Sequence, residues 1–100
     1  MVGGRARAQA PRELAQDPDL WPEADLAAHV AAAAVQDIAR NLASAMASRR
    51  LSLRQLAALS GVNRQAIADL LAGRSWPDVA TVARLDHATG NRLWPKSGES

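Results

Sequence analysis

The chain has 100 residues, 48% of them hydrophobic, enough for one domain with a core and too few for two. It has no cysteine, which excludes disulfides, iron–sulfur clusters and thiolate zinc sites and fits a reducing cytoplasm. The net charge is only +2, but the segment 13–25 carries five acids and no base, whereas Arg49, Arg50, Arg54, Arg64 and Arg74 face the single acid Asp69 across 49–75, a balance suited either to a polyanion or to a solvated basic face.

Residues 1–22 mix Gly, Pro, Arg, Gln and Asp without periodicity, and Pro11, Pro18 and Pro22 interrupt any regular element, so a mostly disordered tail is expected there. Arg5, Arg7 and Arg12 lie in it as a basic arm, but no apolar run follows them and a secretory signal is not expected. From Glu23 to Ser48 the pattern predicts an extended helix. Leu26, Val30, Ala33 or Ala34, Ile38, Leu42 and Met46 form one stripe, while Asp37, Arg40 and Asn41 take the polar side. Glu23 and Asp25 sit favourably near its positive end, Ala31 to Ala34 is its expected breaking point, and its surplus length is available to a partner subunit. The apolar run 26–35 contains His29 and is far too short to span a bilayer of about 30 Å.

Ser52 and Gln55 have the spacing of a capping box, which opens a second helix with Leu53, Leu56 and Leu59 on its apolar face. Gly61 stops it in the left-handed conformation, and Asn63 is a good N-cap for a third helix that buries Ile67, Leu70 and Leu71 and ends at Gly73. Ser75 to Asp78, with Pro77 in the first turn, start a fourth helix with Val79, Val82, Ala83 and Leu85 inside and Gly90 at its end. Leu93, Trp94 and Pro95 follow, Leu93 and Trp94 being placed over the open end of the core or at a dimer seam, and then a polar tail. The predicted organisation is an all-α chain with a tail over 1–22, a helical domain over 23–95 and a second tail over 96–100.

Two helices joined by a tight turn are common, but the residues between 51 and 73 meet a narrower set of demands. A closely crossing pair needs a small residue at the crossing and a glycine in the turn four residues later, which Ala57 and Gly61 supply. Leu56, Val62, Ile67 and Leu70 stand where the pair must be locked from inside. The segment LSLRQLAALSGVNRQAIADLLAG resembles the helix-turn-helix of the Cro and phage-repressor family of transcriptional regulators, and SWPDVATVARLDHATG continues the likeness, which runs from about Ile38 to Pro95. The resemblance implies a four- or five-helix domain that binds double-stranded operator DNA, usually as a homodimer, without cofactor or catalysis. Leu53 departs from it, standing where many members carry a Gln that contacts phosphate.

A recognition helix enters the major groove with its N-terminal residues facing base edges, here Asn63, Arg64, Gln65, Ala66 and Asp69. Arg64 suits guanine O6 and N7, Gln65 adenine N6 and N7, and Ala66 a thymine methyl. Asp69 either accepts from cytosine N4 or is held beside Arg64 or Gln65 by helical spacing, and Asn63 serves as a cap before it serves as a base reader. For phosphate, Ser52, Arg54 and Gln55 lie at a helix N-terminus, and Arg74 and Ser75 match the family's loop beyond the recognition helix. Arg49 and Arg50 are weaker candidates, explained equally by a helix C-terminus.

Enzyme and metal readings find no support in the sequence. His29 and His87 are far apart, neighbouring Asp86 and His87 diverge on a helix, and Gly3 and Gly4 follow no strand. Trp21, Trp76 and Trp94 each adjoin a proline and are assigned to packing rather than base stacking. The expected function is a cytoplasmic transcriptional regulator, a repressor acting as a homodimer on a near-palindromic site. The alternative is an antitoxin with a toxin partner, or another protein-interaction module on the same fold.

Overall fold

The computed structural model describes residues 9–26 and 28–95. Among the described residues four α-helices follow one another, α1 (Val30–Arg49), α2 (Leu53–Ser60), α3 (Arg64–Ala72) and α4 (Val79–Thr89), after two 3₁₀ turns at Pro11–Leu14 and Pro18–Leu20. No strand occurs among the described residues, in line with the all-α expectation. None of their helices is long and apolar enough to cross a membrane.

The core is where the four helices meet. Val35, Ile38 and Leu42 of α1, Leu56 of α2, Val62 of the turn, Ile67 and Leu70 of α3, Val82 and Leu85 of α4, and Leu93 beyond it form one buried cluster. Leu93 is fixed at both backbone groups, its N–H donating to Asp86 Oδ2 at 2.9 Å and its carbonyl accepting from Asn41 Nδ2 at 3.0 Å. That pairing closes the open end of the core with side chains from α1 and α4. Trp94 packs against the same cluster.

The first helix differs from expectation at its start and in its face. It begins at Val30 rather than near Glu23, and it runs unbroken through Ala31 to Ala34. The cause is Gln36, buried to 6% exposure, whose Oε1 accepts from the Ala24 N–H at 2.9 Å and whose Nε2 donates to the Ala24 carbonyl at 3.0 Å. A buried backbone amide must be paired. Here one side chain of α1 supplies both partners, so Ala24 lies alongside α1 instead of continuing it. Leu26 then drops into a second cluster with Ala15, Ala24 and Ala32. Val30 is left 83% exposed, and the buried stripe becomes Ala32, Val35, Ile38, Ala39, Leu42 and Ala45. Alanines on this face let the N-terminal segment approach the helix closely.

The tail predicted for 1–22 is folded from Gln9 onward; its earlier residues, with Arg5 and Arg7, and the tail 96–100 lie outside the described residues. Prolines read as interruptions instead open the two 3₁₀ turns, where a fixed φ and a missing N–H cost nothing. The Arg12 guanidinium ties the turns together by donating to the Pro18 carbonyl at 3.0 Å. The Trp21–Pro22 peptide is cis.

The remaining helix ends are set locally. At the end of α1, Arg50 takes the left-handed conformation with φ 56° while the Leu51 N–H reaches back to the Met46 carbonyl at 2.9 Å. Asp78 caps α4 by accepting from the Thr81 N–H at 2.7 Å. That backbone hydrogen bond, and then one from the Thr81 side chain, hold the Asp78 carboxyl below its ordinary value; desolvation opposes them, and the charge of Arg84 adds the least.

Candidate nucleic-acid interface

The interface is built from the N-terminus of α2 upward. Ser52 Oγ accepts from the Gln55 N–H at 3.1 Å and Gln55 Oε1 accepts from the Ser52 N–H at 2.8 Å, the reciprocal capping box expected from the sequence. Two of the four orphan donors of this helix end are thereby paired, and those of Leu53 and Arg54 remain at its mouth without an intrahelical partner. Ser52, Arg54 and Gln55 are all exposed. Leu53 is partly buried and packs on the core, which explains an apolar residue at a position facing the α2 entrance.

The turn then redirects the chain. Gly61 has φ +76° with open space where a Cβ would stand, so conformation rather than crowding requires the glycine. Its N–H closes α2 on the Ala57 carbonyl at 2.9 Å, and the Ser60 hydroxyl accepts from the Val62 N–H at 3.1 Å. Val62 is inserted into the core while Asn63 turns outward and starts α3. Asn63 Oδ1 accepts from the N–H groups of Gln65 and Ala66 at 2.7 and 3.3 Å, so its acceptor is committed to the cap.

In α3 the buried and exposed faces are sharply divided. Ile67 and Leu70 are 0% and 1% exposed, while Arg64, Gln65 and Ala66 all face solvent on the first turn. Among the described residues neither Arg64 nor Arg54 makes an ion pair, and both guanidinium groups are available to an anion or a base edge. Asp69, one turn further, is a hub. Its Oδ1 accepts from Gln65 Nε2 at 3.0 Å and from Arg74 Nε at 3.2 Å, with Arg74 Nη2 at 3.1 Å. The carboxylate is thus held beside Gln65, at helical spacing. It also joins α3 to the loop that follows.

That loop begins where α3 ends in a Schellman arrangement. The Arg74 N–H bonds to the Asp69 carbonyl at 2.9 Å and the Gly73 N–H to the Leu70 carbonyl at 3.1 Å, which brings Arg74 back over the helix and its side chain onto Asp69. Gly73 has φ +74°, and a Cβ on it would meet the Trp21 ring at 2.5 Å. Ser75 is half-buried in the loop. Arg49 and Arg50 are exposed at the end of α1, beside the entrance of α2.

What lies behind this surface was not legible in the sequence. Trp21 Nε1 donates to the Leu71 carbonyl at 3.0 Å, the Arg12 N–H donates to the Gly73 carbonyl at 3.0 Å, and Trp76 Nε1 donates to the Gln9 carbonyl at 2.8 Å. The signal available was a pair of tryptophans each beside a proline, which marks packing without saying against what. Among the described residues no group of His, Cys, Asp or Glu is arranged to hold a metal ion.

A family model described as helix-turn-helix matches residues 42–93, which takes in the end of α1, all of α2, α3 and α4, and Leu93. No curated protein and no solved structure matches the chain.

Proposed function

The chain belongs to the Cro- and phage-repressor-type helix-turn-helix family and is a DNA-binding regulator; on that premise we propose that it is a repressor binding a near-palindromic operator as a homodimer. Arg64, Gln65 and Ala66 read base edges in the major groove, and Arg54, Arg74, Ser52, Gln55 and Ser75 contact phosphates. The observation that carries this reading is the division of α3, where Ile67 and Leu70 are locked inside while the three preceding side chains are solvent-facing. A groove-reading helix needs that combination, because base contacts tolerate little displacement.

In this reading Asp69 orients Gln65. One N–H of the Gln65 amide is held by the carboxylate, leaving the second N–H and Oε1 in the arrangement that matches N7 and N6 of adenine. Arg54 and the N–H groups at the mouth of α2 offer a phosphate site that combines a full charge with the helix dipole. Two copies placing α3 in successive major grooves about 34 Å apart would read both halves of the site. Repression then requires nothing beyond occupancy of an operator that overlaps a promoter.

The test is selection of bound duplexes from a random pool followed by gel-shift titration of variants. Arg64→Ala is expected to relax base choice at one position per half-site and to cost about 1–3 kcal/mol on the selected duplex. Arg54→Ala is expected to weaken all sequences alike and to reduce the salt slope by about 1. Retention of full discrimination by Arg64→Ala would contradict the assignment. A symmetric motif supports the dimer, and a single unrepeated half-site would count against it.

A further inference from the structure

The family match begins at residue 42, yet the far end of the recognition helix is held by residues that precede it. A helix C-terminus has orphan carbonyls. At the end of α3 those of Asp69 and Leu70 are paired within the Schellman turn, whereas that of Leu71 is paired by Trp21 Nε1 and that of Gly73, just past the helix, by the Arg12 N–H. The Trp21 ring lies directly against Gly73, and Trp76, in the same loop as Arg74, is tied through its own Nε1 to the Gln9 carbonyl. At its other end this segment is pinned to α1. Gln36 grips both backbone groups of Ala24, and the exposed Arg40 reaches the Pro22 carbonyl at 3.4 Å and Glu23 at 3.1 Å.

Gln9 to Leu26 therefore runs as a strap from the buried face of α1 to the last turn of α3. A helix of 9 residues is too short to hold its own axis, so its ends are placed by whatever grips them. Asn63 and the core grip the first turn; the strap grips the last. Arg74 leaves the helix at that point, and its guanidinium is positioned through Asp69.

We infer that residues Gln9–Leu26 are a positioning strap for the DNA interface, with Trp21 the positioning residue that sets the last turn of α3 and thereby the phosphate contact of Arg74. The inference rests on the DNA-reading function proposed above. Trp21 touches no nucleic acid; it acts through the Leu71 carbonyl, the Gly73 corner and the loop that carries Arg74. Discrimination by Gln65 depends on the same corner, because Asp69 is shared between Gln65 and Arg74.

The test uses the full chain and the duplex that it selects from a random pool, with a random-sequence duplex as reference. Trp21→Phe keeps an aromatic ring and removes the N–H; Trp76→Phe releases Gln9 and is the milder companion. Titrations are made well below the melting temperature of each variant, with helix content checked by circular dichroism. Trp21→Phe is expected to bind the selected duplex about five-fold more weakly, the size of one net hydrogen bond, and to lower the salt slope by about 1. In an Arg74→Ala background it is expected to add little further loss, since both changes remove the same contact. A purely structural tryptophan would lower the melting temperature and leave affinity and salt slope unchanged. Wild-type slope in both Phe variants, or additive losses in the Trp21/Arg74 cycle, would overturn the strap. Failure of the wild-type chain to select any duplex would instead reject the DNA-reading function, and the strap proposal with it.

Discussion

Asp69 is the residue whose role changes most between sequence and structure. At helical spacing from Gln65 it reads as a base contact or as a neighbour, and only the Schellman turn at Gly73, by folding Arg74 back, makes it the point where helix and loop meet. Asp69→Ala removes one negative charge from the surface that carries Gln65 and Arg74 and frees both partners. Affinity for random-sequence duplex is expected to rise by about two- to five-fold, the size of one exposed ion pair, while discrimination falls because the Gln65 amide loses its orientation. Gel-shift titration of selected and random duplexes in parallel checks this, and unchanged values for both would contradict the hub. Asn63 was legible as a cap because a local hydrogen bond needs only spacing. The Arg74 contact was not, because it depends on the left-handed residue between helix and loop.

Among the elements, the bounds of α2 and α3 could be read from the chain almost to the residue, since each is bounded by a polar cap and a glycine, but Leu59, expected on the apolar face of α2, is 62% exposed. The start of α1 could not. Its apparent stripe continues through Leu26 and Val30, and only the burial of Gln36, a polar residue on what should be an apolar face, shows that the chain turns away before Val30. No periodicity announces that a glutamine will pair a distant backbone. At α4 the cap carries a pH dependence. The folded-state value of the Asp78 carboxyl is lowered from 3.8, so its contribution to stability is present in full above that value and is lost as pH falls through the lowered one. Asp78→Asn keeps a capping oxygen but does not ionise. The stability difference between the two proteins is therefore expected to narrow between about pH 5 and pH 2, as followed by urea unfolding across that range. A difference that stays constant with pH would remove the ionised cap from the account.

For the whole molecule, most of the domain core was legible, although Val79 and Ala83, expected inside α4, are exposed, and the N-terminal third was not. Pro11, Pro18 and Pro22 and the run of acids from Glu13 to Asp25 are the composition of a tail, and what folds the segment is contact with surfaces far along the chain, at Gln36, Leu71 and Gly73. Leu26 measures how far that segment belongs to the fold. It is 4% exposed, and Leu26→Ala is expected to cost about 2–5 kcal/mol and to lower the melting temperature by roughly 10 °C or more, whereas an unfolded tail would give no change. Whether α3 lies in the major groove with Arg64 on a guanine is decided by methylation interference on the selected duplex. Methyl groups at N7 of one guanine in each half-site are expected to weaken binding of the wild-type chain, and Arg64→Ala is expected to lose this sensitivity at those guanines. Identical interference patterns for the two proteins, or sensitivity confined to adenine N3 in the minor groove, would contradict that placement.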